Sequence, residues 1–133
     1  MVKWMKHNRR FTGCQERGVR SVAVRLSVVV PVYGTEKYLR KCLDSLAAQT
    51  LREAEFILVN DCTPDHAARI MADYAAKDGR FRVVTHEQNR GLFASRVTGA
   101  EQAIGEYIAF LDSDDYVSVD FYRSAVDCAD HGD

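Results

Sequence analysis

The chain has 133 residues, a length that allows one domain. Its hydrophobic fraction of 47% and charged fraction of 28% are typical of a globular protein, which excludes a chain that is disordered throughout. The net charge of −1 argues against a protein that binds nucleic acid along its whole surface, and no apolar run reaches the roughly 18 residues of a membrane-spanning helix.

The first 25 residues differ in charge from the rest of the sequence. Residues 1–25 carry seven basic side chains and one acidic side chain, whereas the remaining residues carry 11 basic and 18 acidic side chains. The segment lacks the apolar stretch of a signal peptide and shows no sustained hydrophobic periodicity. We expect a disordered basic leader, and the alternative is a tether that makes peripheral contact with the anionic headgroups of a membrane.

A strand followed by a helix is predicted directly after the leader. Residues 26–32 form a short apolar run rich in valine, which is typical of a strand buried on both faces. A turn at residues 33–35 follows. A helix over about residues 36–48 comes next, because apolar side chains recur at i, i+3, i+4 and i+7 from Leu39. Thr35 is the expected N-cap of this helix.

The strand–helix cycle then repeats three times. Further strands are predicted at 55–60, 81–85 and 107–111, and helices at about 63–78, 91–103 and 119–129. Alternation at this spacing predicts right-handed crossovers and therefore a parallel sheet. We expect an α/β fold that is Rossmann-like and doubly wound, with a mainly parallel four-stranded sheet, flanking helices and a single domain over residues 26–133.

The cysteines indicate the compartment. Cys14, Cys42, Cys62 and Cys128 include no pair with the CxxC spacing of a zinc or redox site. Because no secretory signal is visible, free thiols in a reducing compartment are the expected state. We therefore predict a cytoplasmic location, with the inner face of the membrane as the place of any lipid contact.

Acidic residues follow the strands at the edge where folds of this class bind ligands. Residues 60–65 follow the second predicted strand, and residues 112–115 follow the fourth. Carboxylates gathered in one place repel one another, and a bound cation removes that repulsion. The i, i+2 spacing of Asp112 and Asp114 suits a hard ion such as Mg²⁺ or Mn²⁺.

Each of these features also has a purely structural interpretation. Aspartates favour turns and helix starts, so Asp61 alone is more typical of a helix cap than of a ligand. Tyr33 either stacks on a base or covers the sheet edge. His86 either faces the site or lies on the surface, and we expect the surface. Arg96 either contacts phosphate or pairs with an acid.

The order and spacing of four segments carry more information than any one of them. The segments are SVVVPVY at 27–33, VNDCTPD at 59–65, NRGLFASR at 89–96 and GEYIAFLDSDD at 105–115. Together they resemble the family 2 glycosyltransferases of GT-A fold, over about residues 26–118. The resemblance implies the nucleotide-binding half of such an enzyme, of the kind that builds cell-envelope polysaccharides.

The resemblance also implies a site for a nucleoside-diphosphate sugar, with a UDP-sugar as the favoured donor. In the family, the segment that ends the first strand lines the nucleotide pocket and the acid after the second strand binds the base. The nucleotide-sugar-binding residues implied here are Pro31, Val32, Tyr33, Asp61, Arg96, Asp112 and Ser113.

The same resemblance implies a divalent metal, Mn²⁺ or Mg²⁺, held by Asp114 together with Asp112. The implied reaction is the inverting transfer of a sugar from the nucleoside diphosphate to an acceptor hydroxyl. The metal would neutralise the charge that develops on the leaving diphosphate.

Three further expectations follow from the resemblance and its limits. The family carries its general base in the second half of the domain, so the alternative to an enzyme is a truncated, inactive nucleotide-binding module. Half a sheet exposes an apolar flank, which predicts self-association. A haloacid-dehalogenase-type phosphatase also has an Asp-x-Asp motif, but there the motif follows the first strand, whereas here it follows the fourth.

Overall fold

The computed structural model describes residues 3–6 and 23–131. The elements in chain order are β1 Lys3–Lys6, β2 Leu26–Val32, α1 Glu36–Ala47, β3 Ala54–Asn60, α2 Ala67–Lys77, β4 Phe81–Thr85, α3 Leu92–Gln102, β5 Tyr107–Phe110 and α4 Phe121–His131. Every strand and helix predicted after the leader is present. The largest difference in position is at the start of α2, which begins four residues later than predicted.

The sheet has the order β1-β5-β2-β3-β4. Strands β5, β2, β3 and β4 run parallel to one another. Strand β1 adds to the edge of the sheet and pairs with β5 in the antiparallel sense. The predicted four-stranded parallel sheet and the α/β class are therefore confirmed. Adjacent β5 and β2 are far apart in sequence, and the chain order reverses there, so the carboxyl ends of β2 and β5 mark the point where such folds bind ligands.

Strand β1 lies in the segment for which the sequence predicted a disordered leader. Its four residues pair in register with β5, from Lys3 opposite Phe110 to Lys6 opposite Tyr107. At these residues the structure differs from the expectation, because an edge strand can be held by backbone hydrogen bonds without the apolar pattern that identifies a buried strand. The rest of the leader, up to residue 22, lies outside the described residues.

Two apolar cores lie on the two faces of the sheet. Along β2, Val28 and Val30 belong to the larger core and Val29 to the smaller one, because successive side chains of a strand point to opposite faces. Helices α1, α2 and α4 contribute to the larger core, and α3 covers the smaller one. The sheet is therefore covered on both faces, as the apolar strand sequences predicted.

Glycine brings α3 close to the sheet. A Cβ atom on Gly99 would lie 2.2 Å from Cγ1 of Val29, so no larger residue fits between α3 and β2 without a shift. A Cβ atom on Gly105 would lie 2.7 Å from the backbone nitrogen of Ser27. These two contacts set the position of α3 relative to the ends of β2 and β5.

The start of α2 differs from the sequence prediction. Thr63 was expected to cap the helix, but the chain bends at residues 64–66 and the helix begins at Ala67. Oδ1 of Asp65 accepts hydrogen bonds from the backbone N–H of Ala67 at 3.1 Å and from the hydroxyl of Thr63 at 2.7 Å. Its Oδ2 accepts from the backbone N–H of Glu36 at 3.2 Å, which joins the start of α1 to the start of α2.

Within the part of the chain that the structure describes, no helix combines the length and the apolar character needed to cross a bilayer.

Candidate functional site

A cavity of about 430 Å³ lies where β2, β3 and β5 end. The predicted residues that line it are Pro31, Val32, Tyr33, Asp61, Asp112, Ser113 and Asp114. They come from three strand ends that are up to about 80 positions apart in the sequence. The structure therefore brings every predicted site residue except Arg96 to the wall of one cavity, and Arg96 contacts Asp112 from α3.

Sequence reasoning missed the other wall of the cavity. Its additional lining residues are Thr35, Asn89, Gly91, Leu92 and Ser95. Most of them belong to the loop before α3 and to the first turn of that helix. The sequence predicted a helix from about residue 91, but nothing local shows that the loop before it packs against the end of β3.

A second cavity, of about 830 Å³, is more open and lies between the first turns of α1 and α2. None of the predicted site residues lines it. The smaller cavity is the candidate site, because it lies at the carboxyl ends of the parallel strands and contains the acidic cluster.

Three carboxylates gather in the turn after β5. Oxygen atoms of Asp112, Asp114 and Asp115 all lie within 4.8 Å of one another. The turn is closed by a hydrogen bond from the backbone N–H of Asp115 to the carbonyl of Asp112 at 3.0 Å. An all-oxygen, anionic donor set that is partly open to solvent fits Mg²⁺ or Mn²⁺. Asp115 was not among the predicted metal ligands, and its place in the turn makes it a third candidate.

Arg96 reaches this cluster from α3. Its Nη2 lies 3.4 Å from Oδ1 of Asp112, which is a weak ion pair. Its Nε is buried and has no hydrogen-bond partner among the described residues. The acid-pairing interpretation of Arg96 is thus present in the structure, and a second donor on the same guanidinium remains unused by the described protein atoms.

Asp61 is almost completely buried, and both of its carboxylate oxygens accept hydrogen bonds. Oδ1 accepts from the ring Nδ1 of His86 and from the backbone N–H of Arg90, both at 2.8 Å. Oδ2 accepts from the backbone N–H of Gly91 at 2.8 Å and from Nδ2 of Asn89 at 3.0 Å. Burial acts to raise the pKa of Asp61, but the hydrogen bonds to the ionised carboxylate outweigh it and lower the pKa.

The sequence prediction for His86 was wrong, because the side chain is buried rather than on the surface. Only 6% of the residue is exposed. Its Nδ1 contacts Asp61, and its Nε2 lies 2.8 Å from the hydroxyl of Thr98 on α3. These partners are 25 and 12 positions away in the sequence, so no local pattern could have indicated them.

The loop that follows β2 is tied to the acidic turn by hydroxyl groups. Thr35 stands at the predicted N-cap position of α1, but its side chain makes no capping hydrogen bond. Its hydroxyl instead lies 2.6 Å from the hydroxyl of Ser113. Gly34 has φ of +69°, a left-handed conformation that glycine adopts without strain and that turns the chain at the cavity. Tyr33 is half exposed (51%) beside it.

The thiol of Cys42 lies beneath the acidic turn. Its Sγ is 3.8 Å from the carbonyl oxygen of Asp112. Burial, together with the nearby negative charges of the acidic turn, raises the pKa of Cys42 to about 12. Cys42, Cys62 and Cys128 are free thiols, and Cys14 lies outside the described residues.

Comparison with protein families gives a match over most of the chain. The model of "Glycosyl transferase family 2" matches residues 27–133. The protein EpsJ of Bacillus subtilis, described as an uncharacterized glycosyltransferase, is 50% identical over 93 residues, which is 70% of this chain and 27% of EpsJ. The minor teichoic acid biosynthesis protein GgaB of the same organism is 37% identical over 106 residues, 78% of this chain and 12% of GgaB.

Solved structures share the same fold. The crystal structure of S. aureus TarS 1–349 in complex with UDP-GlcNAc has a TM-score of 0.77 and 35% sequence identity. The match covers 81% of this chain and 32% of the TarS chain. The chain thus spans a third or less of the length of the relatives described here.

Proposed function

The chain belongs to glycosyl transferase family 2, and we propose that its cavity at the ends of β2, β3 and β5 binds a nucleoside-diphosphate sugar. We propose a UDP-sugar as the donor and the inverting transfer of its sugar to an acceptor hydroxyl as the reaction. The TarS crystal structures with UDP and with UDP-GlcNAc support the choice of UDP. A cell-envelope polysaccharide is the acceptor class we propose, and the likeness to GgaB supports it.

The observation that carries this proposal is the meeting of three strand ends at one cavity. Tyr33 from β2, Asp61 from β3 and Asp112 from β5 line the same space of about 430 Å³. A volume of a few hundred Å³ suits a small organic ligand such as a nucleotide. The aromatic ring and the carboxylates stand apart in sequence, so their meeting is a property of the fold rather than of one turn.

The acidic turn supplies the ligands for the divalent metal of the proposal. Asp112 and Asp114 would hold Mn²⁺ or Mg²⁺, and the carboxylate of Asp115 lies close enough to add a third oxygen. When bound, the ion acts as a Lewis acid that stabilises negative charge on the leaving diphosphate. Without a cation, three carboxylates at this separation repel one another.

Other side chains at the cavity have roles that fit an anionic nucleotide. Arg96 does not line the cavity itself, but its guanidinium lies 3.4 Å from Asp112 on the cavity wall, from where we propose that it donates a charge-assisted hydrogen bond to a phosphate oxygen. The half-exposed ring of Tyr33 offers a flat apolar face on which a base can stack. Ser113 and Asp112 then stand on the side of the ribose and the sugar.

We expect this chain to bind nucleotide more readily than it transfers sugar. A general base must lie within hydrogen-bond reach of the acceptor hydroxyl. The carboxylates that line the cavity in the described part of the chain are Asp61, Asp112 and Asp114. The first is buried under four hydrogen bonds, and the other two belong to the proposed metal site. A nucleotide-binding module without transfer is therefore the second candidate function.

Calorimetry of the full chain with UDP tests the binding proposal. We expect UDP to bind when Mn²⁺ is present and to lose affinity when EDTA removes the ion. Asp112→Ala and Asp114→Ala each remove one oxygen ligand, so each variant should weaken UDP binding at least about tenfold. Asp73→Ala, which removes an exposed carboxylate on the surface of α2, is the matched control and should bind as the wild type does.

Three outcomes separate the alternatives. Equal UDP affinity with and without EDTA, together with unchanged affinity in both variants, would contradict a metal-dependent nucleotide site. Release of UDP from UDP-GlcNAc by the chain would favour the enzyme, and binding without release would favour the module. Family membership leaves the phosphatase alternative without support.

One prediction about location and two about partners remain proposals. The cytoplasmic location rests on the expected free thiols, and the peripheral contact with anionic lipid depends on the basic leader, most of which lies outside the described residues. Self-association depends on exposed apolar surface. Leu92, Phe93 and Val97 on α3 expose such surface, with Phe93 exposed to 78%. Exposed apolar residues of this kind support the proposal that chains associate.

A further inference from the structure

His86 connects three parts of the nucleotide cavity that are separate in sequence. It follows β4, its Nδ1 contacts Asp61 at the end of β3, and its Nε2 contacts Thr98 on α3, both at 2.8 Å. The Asp61 carboxylate accepts hydrogen bonds, so the proton of this contact is carried by Nδ1 of His86. Nε2 and the hydroxyl of Thr98 form the second hydrogen bond of the ring, which holds the ring from the side of α3.

The four donors to Asp61 occupy both of its oxygens. An ionised carboxylate offers about four acceptor positions, two on each oxygen. His86 and the backbone N–H of Arg90 use Oδ1, and Asn89 and the backbone N–H of Gly91 use Oδ2. A base N–H that contacts Asp61 therefore competes with a donor that is already present. Asp61 therefore holds residues 89–91 in place by hydrogen bonds, in addition to lining the cavity.

The loop at residues 89–91 forms one wall of the cavity through Asn89 and Gly91. Gly91 has φ of +97°, a conformation that costs little only because the residue is glycine. No side chain of the helix itself caps α3 at this position. The buried carboxylate of Asp61 instead accepts the N–H groups of Arg90 and Gly91, the two residues that directly precede α3.

We propose that His86 is a positioning residue for the nucleotide cavity: by donating to Asp61 through Nδ1 and bonding Thr98 through Nε2, it fixes the carboxylate that holds the 89–91 loop in its binding conformation. This inference rests on the proposed function only for the identity of the ligand. The contacts that join His86, Asp61 and the loop do not depend on the proposed function. His86 does not line the cavity, so it acts through Asp61.

Two amide variants distinguish the contact that His86 makes through Nδ1 from the contact that it makes through Nε2. In His86→Asn the side-chain amide stands near the position of Nδ1, so it keeps a donor for Asp61 and loses the contact with Thr98. In His86→Gln the amide stands near Nε2, so it loses the donor for Asp61. Thr98→Val removes the hydroxyl with little change of shape. Replacing His131, an exposed histidine on α4, by Asn is the matched control.

The first readout is amide hydrogen exchange without nucleotide. In His86→Gln the N–H groups of Arg90 and Gly91 should exchange at least about tenfold faster, because the carboxylate that accepts them is less well held. His86→Asn should retain most of the protection, and the His131 variant all of it. The amide of Val29 in the core of β2 serves as the internal reference for global stability.

The second readout is UDP affinity in the presence of Mn²⁺. We expect the same order of effects: a loss of about tenfold in His86→Gln, a smaller loss in Thr98→Val, and rescue by Asn at position 86. Faster exchange at Val29 together with Arg90 and Gly91 in every variant, or equal effects of Asn and Gln on both readouts, would overturn the proposal and leave His86 as a packing residue.

The two readouts distinguish failure of this inference from failure of the proposed function. If the wild-type chain does not bind UDP, the proposed function fails, and the exchange experiment still decides whether His86 holds the loop. If UDP binds and His86→Gln leaves both exchange and affinity unchanged, the proposed function stands and the positioning role is overturned.

Discussion

At the scale of single residues, Tyr33 gives the clearest choice between a structural and a binding role. Its side chain is half exposed at the cavity, so it does not cover the sheet edge completely. Tyr38 on α1 is exposed to the same extent, 51%, but does not line the cavity. The two tyrosines therefore form a natural pair of test and control.

Tyr33→Ala should weaken UDP binding by about tenfold, since base stacking on an aromatic ring contributes roughly 1–3 kcal/mol. Tyr33→Phe keeps the ring and should retain the affinity, and Tyr38→Ala should leave it unchanged. Calorimetry with Mn²⁺ measures all three. Equal affinity of Tyr33→Ala and wild type would show that the ring covers the sheet edge instead.

The lowered pKa of Asp61 predicts that the free energy of unfolding depends on pH. Its pKa is lowered in the folded chain, so it contributes stability that is complete above the unfolded value of about 3.9 and is lost as pH falls through the folded value. Asp61→Asn should remove this contribution and, by weakening the contacts to Arg90 and Gly91, should reduce the free energy of unfolding at pH 7 by about 2 kcal/mol.

Urea unfolding between pH 7 and pH 3 measures the effect of Asp61→Asn. The gap in unfolding free energy between wild type and variant should narrow as the pH falls below about 4. Asp73→Asn, at an exposed carboxylate, should follow the wild type throughout. A gap that stays constant over the whole range would mean that the charge of Asp61 contributes nothing to stability.

At the scale of elements, the position of α3 depends on the absence of a side chain at Gly99. The helix carries Arg96 and Thr98, so its distance from β2 decides where those groups stand. The 2.2 Å approach of a Cβ to Val29 is shorter than any real contact. Packing against β2 therefore excludes even alanine unless the helix or the valine moves.

Gly99→Ala should reduce the free energy of unfolding by about 1–3 kcal/mol, although alanine favours a helix more than glycine does. It should also weaken UDP binding, because α3 shifts away from the acidic turn. Gly79→Ala is the control, since a Cβ there meets no atom within 4 Å. Denaturant unfolding with calorimetry checks both effects, and a Gly99→Ala variant as stable as the wild type would contradict the close approach.

Sequence prediction was more accurate for the strands and helices than for the contacts at the cavity. The valine-rich run of β2 and the apolar spacing of α1 depend on neighbours within a few positions, and both were predicted with bounds within about one residue. The start of α2 was missed because Asp65, rather than Thr63, accepts the first helical N–H. Strand β1 was missed because its pairing with β5 depends on a partner about 100 positions away.

At the scale of the whole molecule, the site could be predicted in part from a rule of topology. Parallel strands bring their carboxyl ends to one edge, so Tyr33, Asp61 and Asp112 were expected together, and the cavity contains all three. The network around His86 could not be predicted, because it joins residues that share no local pattern. The Thr35–Ser113 contact, 78 positions apart, was missed for the same reason.

Two cavities formed by the described residues are candidates for the nucleotide. The larger lies between the first turns of α1 and α2 and is lined by Lys37, Arg40 and Arg69 among others. Cationic side chains could attract a diphosphate there as well. The smaller cavity combines carboxylates of the acidic turn, an aromatic ring and a buried carboxylate, and it is the one we assign to the nucleotide.

A crystal structure of the chain grown with UDP and Mn²⁺ tests this assignment most directly. We predict electron density for the nucleotide in the smaller cavity, with the base beside Tyr33 and an anomalous signal for manganese on Asp112 and Asp114. A nucleotide bound between α1 and α2, or manganese away from the acidic turn, would contradict the account.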